Sequence, residues 1–129
     1  MSTSLLIASY VYGAVVDAGA AVAMAFPDRF SAARRYLLPF APNRPEFKYG
    51  MRYGVPLMVG WTVLLIWAAF DPVGRRDVLL ITVVPVVAGF MLHAALGVRS
   101  GQLRRGPVSA ERALQVALVA LFLSAYLLA

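Results

Sequence analysis

The chain has 129 residues, 61% of them hydrophobic and only 14% charged, with a mean hydropathy of +0.76; a soluble globular domain is typically about 45–50% apolar and about a quarter charged. The apolar residues come in blocks, so one transmembrane domain over 1–129, with room for four spans of about 20 residues, replaces a water-soluble core or a second soluble domain. The net charge of +6 comes from 11 arginines and one lysine against six acids, gathered almost wholly in two loops, which reads as topology determinants and lipid contacts and not as a nucleic-acid footprint.

The first span is expected over about 4–26. Its small-residue stretch Ala21-Val-Ala-Met-Ala25 resembles a signal-peptide cleavage site, but no basic segment precedes it and Asp17 interrupts the apolar run, so the segment is expected to stay as a span. A carboxylate at that depth costs roughly 2.5–3.5 kcal/mol on insertion scales, so it calls for a partner, a proton or a water-filled cavity. Ser9, Gly13 and Asp17 recur at four-residue spacing, as do Gly19 with Ala23 and Gly50 with Gly54. Small residues at this spacing let helix backbones approach closely, and the first row puts the carboxylate on the packed face of its helix.

The connection over about 27–48 is strongly basic: Arg29, Arg34, Arg35, Arg44 and Lys48, with Arg52 just beyond. Pro27 and Asp28 suit a helix start, Phe30, Ala33 and Leu37 fall on one face, and Pro39, Pro42 and Pro45 stop any extension. That pattern fits a short interfacial helix in the first cytoplasmic loop, with arginines reaching phosphates; an ordinary basic loop is the alternative. Arg29, Arg34, Arg35, Arg104 and Arg105 are the candidate contacts to anionic lipid headgroups.

The second span is expected over about 49–70, with Trp61 near its middle in a packing or cavity-lining role. The turn Asp71-Pro-Val-Gly-Arg-Arg-Asp77 allows Asp71 to pair with Arg75 or Arg76. The third span, about 77–97, contains Pro85. After a loop carrying Arg99, Arg104 and Arg105, with Arg112 close behind, the fourth is expected over about 109–129, with Ser109 as its N-cap and Glu111 in its first turn. Basic residues therefore divide ten to two between the first and third loops and the second. By the positive-inside rule the first and third loops are cytoplasmic and both termini lie on the other side. Tyr10, Tyr126, Trp67 and Phe70 then fall towards the outer boundary, and Phe26, Tyr49 and Tyr53 towards the inner one.

The fold class expected is an all-α integral membrane protein, a four-transmembrane-helix bundle. Counting 1.5 Å per residue from the cytoplasmic helix ends puts Asp17 roughly 13 Å deep, Gln115 roughly 9 Å, and Tyr53 and His93 roughly 6 Å. These four form a candidate intramembrane polar site. His93 is the one histidine and cysteine is absent, so multi-histidine haem or zinc ligation within one chain and thiolate chemistry are out, which leaves a single axial ligand or a site shared between copies open. No catalytic motif, metal site or cofactor fingerprint appears.

The plan resembles the small multidrug-resistance transporters: four short helices and one membrane acid in the first, here Asp17 within Tyr10-Val-Tyr-Gly-Ala-Val-Val-Asp17. In that family the acid is a glutamate that binds protons and cations alternately across a dimer. The chain departs from it in its aspartate, its long basic first loop and its one-way charge bias. The reading expected first is a non-enzymatic accessory, scaffold or lipid-interacting membrane protein, with a second copy or another membrane protein as partner. The alternative is a small oligomeric proton-coupled transporter using Asp17. The preference for arginine, with abundant alanine and valine, suggests a high-GC bacterium and its cytoplasmic membrane.

Overall fold

A computed structural model describes residues 2–26, 29, 45–101 and 105–128, and the side chains among them except at 2, 45–48 and 105–111. All the regular structure in these residues is helical: α1 (Ser2–Ala25), α2 (Pro45–Ala69), α3 (Asp77–Ile81), a π-helical segment (Thr82–Val87), α4 (Ala88–Arg99) and α5 (Arg105–Leu128). The interfacial helix expected between 27 and 44, and Arg34, Arg35 and Arg104, lie outside the described residues; of Arg105 only the backbone is described.

Three helices are long and apolar enough to cross a membrane, Thr3–Ala25, Tyr49–Ala69 and Asp77–Arg99, and Arg112–Leu128 is a shorter apolar one. Two helices start a turn earlier than the apolar runs that mark them. In α2 the added turn opens on Pro45 and Glu46; proline is tolerated at a first helical position and an acid is favoured there. In α5 the helix begins at Arg105 and takes Pro107 into its first turn, so Ser109 is inside the helix and not its N-cap. Hydropathy marks the apolar rod, whereas hydrogen bonding continues into polar turns.

The third rod is continuous, but its register changes. Pro85 has no N–H to donate, and its ring crowds the carbonyl of Ile81, four residues back. The backbone answers with a π segment, Thr82–Val87, flanked on both sides by right-handed helical residues. The rod ends at Gly101, whose φ of 77° suits a glycine, with the Ser100 N–H donating to the Leu96 carbonyl at 2.8 Å.

α1 packs chiefly along α2, and α5 joins α1 to the third rod. The tight core lies at the end of the bundle nearest the 71–76 turn. Leu6, Tyr10, Leu65, Leu79, Phe122 and Ala125 are fully buried there. The buried Tyr10 hydroxyl donates to the Arg75 carbonyl at 2.9 Å, tying α1 to the turn. Asp71 and Arg75 approach to 4.0 Å, as the charge spacing anticipates. Arg75 also donates to the Trp67 carbonyl and lies 3.7 Å above the Trp67 ring, while Arg76 lies 5.6 Å from the Tyr126 ring. Gly13 permits the central crossing: a β-carbon there would stand 2.8 Å from Phe122 Cζ and 3.0 Å from Leu65 Cδ1.

Candidate functional site

Beyond that core the helices separate around a cavity of about 370 Å³. All four rods line it. α1 contributes Gly13, Asp17 and Met24; α2, Gly54, Leu57 and Met58; the third rod, Thr82, Val87 and Phe90; α5, Gln115, Leu118 and Phe122. The Met24 methyl end lies over Gly54 and so closes the α1–α2 side by side-chain contact. Polar groups on the wall are few, with Asp17, Thr82 and Gln115 set among aliphatic and aromatic side chains.

The sequence-derived quartet divides. Asp17 and Gln115 meet in the cavity wall, both half-buried. Tyr53 does not line it: the residue is 70% exposed, its ring 6.1 Å from that of Tyr49. His93 is exposed on α4, one turn beyond the lining residue Phe90, and is likewise outside the wall. The reason is rotational. Depth follows from residue number, but a helix turns about 100° per residue, so groups at one depth point in different directions. The Ser9–Gly13–Asp17 row keeps its common face: Ser9 is fully buried with its hydroxyl donating to the Leu5 carbonyl at 2.8 Å, Gly13 is buried against Phe122, and Asp17 opens on the cavity. Gly19 and Gly50, from the other small-residue pairs, face open space.

Among the described residues Asp17 has no hydrogen-bond or ion-pair partner, and neither Arg52 nor Arg112 lines the cavity. Arg29, exposed, lies 5.9 Å from the Phe26 ring just beyond α1.

The π segment is the part of the site that spacing rules miss. It brings Thr82, Val86 and Val87 to the wall. Thr82 donates to the Val78 carbonyl at 2.7 Å and accepts the Trp61 indole N–H at 3.2 Å. Trp61 thus packs on the core and fastens α2 to the third rod. Pro85 was the available signal, because a proline inside a helix removes a hydrogen bond and forces the local register to adjust, and π turns are frequent at functional sites.

Among the described residues no group of three or more histidines, cysteines, aspartates or glutamates is placed to hold a metal ion. The arrangement offers an apolar enclosure with one carboxyl group, suited to holding a ligand or passing a proton. Compared with protein-family models, curated proteins and solved structures, the chain matches none.

Proposed function

We propose that this chain is a non-enzymatic, lipid-interacting protein of the bacterial cytoplasmic membrane, in which four helices span the bilayer and hold a small amphiphile between them. The observation that carries the reading is the cavity itself, largely apolar, with Asp17 on its wall. Its volume of about 370 Å³ lies within the roughly 300–1,000 Å³ of small-molecule sites, which combine apolar walls with a few placed polar groups. On this reading Arg112–Leu128 is the fourth span, and its 17 residues are near the short limit for crossing a bilayer. The basic loops face the cytoplasm and hold anionic headgroups, with both termini on the opposite side.

The experiment is native mass spectrometry of the chain released from nanodiscs. The wild type retains a bound amphiphile, and Ala20→Phe, at a further α1 residue of the cavity wall, fills the cavity and loses it. Equal retention by both, with the variant folded, removes the cavity from the function.

A second reading, a small oligomeric proton-coupled transporter, is favoured by one specific observation: Asp17 faces the cavity with no ion-pair partner among the described residues. It requires Asp17→Asn to abolish proton-coupled uptake in proteoliposomes while the helices stay folded. Retained coupling would end it.

A further inference from the structure

The four rods do not enclose the cavity evenly. α1 packs along α2, α5 packs against α1 and the third rod, and the seam between α2 and the third rod is sparsely packed. Along that seam the fastening is the Trp61–Thr82 hydrogen bond. On the side of this bond away from the packed core, one cavity-lining residue from each wall is exposed. Leu57 of α2 is 68% exposed and Phe90 of α4 is 48% exposed. Residues that both line a cavity and face outward edge its mouth; Leu114 of α5, 49% exposed, does so as well, and Leu57 and Phe90 are the two that flank the sparsely packed seam. These two edges are apolar and belong to segments long and apolar enough to cross a membrane, so in a bilayer the mouth would open on hydrocarbon. The carboxyl group sits behind them, midway along the α1 lining between Gly13 and Met24.

We infer that the cavity fills sideways from the bilayer, through a portal between α2 and the third rod edged by Leu57 and Phe90, and that its occupant is an amphiphile with one hydrocarbon chain and a head that donates a hydrogen bond to Asp17. The inference rests on the cavity being a ligand site. An apolar portal admits a molecule already dissolved in the leaflet and disfavours one arriving hydrated, because polar groups are costly to desolvate. A carboxylate only accepts hydrogen bonds, so hydroxyl and ammonium heads fit and an anionic head does not. The Trp61–Thr82 bond marks the closed end of the portal, which places the indole beside an entering chain.

The chain lacks cysteine, so introduced thiols are unambiguous. Trp67→Phe leaves Trp61 as the single indole. In nanodiscs, brominated long-chain alcohol and amine probes are titrated against Trp61 fluorescence, with a brominated methyl ester of equal length as the non-donor control. Saturable quenching, competed by the unbrominated alcohol or amine and at least fivefold weaker for the ester, is expected. The reduced Leu57→Cys, Phe90→Cys protein is titrated first as its own reference, whatever its affinity; bridging the thiols with a reducible cross-linker abolishes the saturable quenching that this form shows, and reduction brings it back. Because both positions are exposed, the pair leaves the core intact, and unchanged circular dichroism checks this.

The failures separate. No saturable quenching by any probe in the unbridged protein overturns ligand binding in the cavity and the portal with it. Binding that survives bridging overturns the portal and leaves cavity binding standing. Equal affinity for the ester overturns the donor head.

Discussion

Gly13→Ala tests whether the close approach at the centre of the bundle is as tight as its geometry implies. A β-carbon at this position stands 2.8 Å from Phe122 Cζ and 3.0 Å from Leu65 Cδ1, against an optimal carbon–carbon separation of about 3.5–4.0 Å. The phenyl ring must therefore retreat by roughly 0.7–1.2 Å to reach that separation. Phe122 and Leu65 are fully buried, so the accommodating direction is into the cavity they also line. Overpacking of this kind typically costs about 1–3 kcal/mol, while alanine in place of glycine favours the helix by about 1 kcal/mol. Taking the middle of the first range leaves a net destabilisation of about 1 kcal/mol.

The assay is reversible unfolding in mixed micelles, followed by tryptophan fluorescence, on a double-mutant cycle with Phe122→Leu. Leucine removes the atom that alanine strikes, so Gly13→Ala becomes neutral or stabilising in that background. The expected coupling is about 1–2 kcal/mol, within the range for residues in contact. If Gly13→Ala is stabilising in the wild-type background and the two changes add within about 0.3 kcal/mol, the contact does not constrain the bundle and the reasoning is refuted.

Three further outcomes follow from the same geometry. Thr82→Val removes the acceptor of the Trp61 indole and should lower stability by about 0.6 kcal/mol, the mean for polar contacts between membrane helices, and by up to about 1.7 kcal/mol. A change in indole fluorescence should accompany it, and an unaltered Trp61 spectrum would contradict the hydrogen bond. Asp17→Leu should raise the unfolding midpoint, since it removes a carboxyl group that lacks a partner among the described residues from an apolar wall; a fall in stability would mean that Asp17 is held in a structural pair. For orientation, single cysteines at Val73 and Ser100 are treated with a membrane-impermeant thiol reagent on intact cells. Labelling at 73 and protection at 100 is the expected result, and the reverse pattern would overturn the positive-inside assignment.

Of the four spans the sequence marks, three are long and apolar enough among the described residues to cross a membrane and the fourth is the shorter apolar helix Arg112–Leu128; that much was legible because hydropathy and length are one-dimensional properties that a rod inherits directly. The Asp71–Arg75 pairing was legible for the same reason, since four residues in a tight turn keep two side chains within reach. The Ser9–Gly13–Asp17 row was legible as one face of one helix. Which residues of different helices meet was decided only in three dimensions. Asp17 and Gln115 share a wall while Tyr53 and His93 do not, because each helix is free to rotate about its axis until packing fixes it, and depth in the sequence carries no azimuth. The cavity itself belongs to the tertiary structure. It lies where the tight core around Tyr10, Leu65 and Phe122 ends, and Pro85, a single missing N–H in the sequence, shapes its wall through the π segment that presents Thr82 to Trp61.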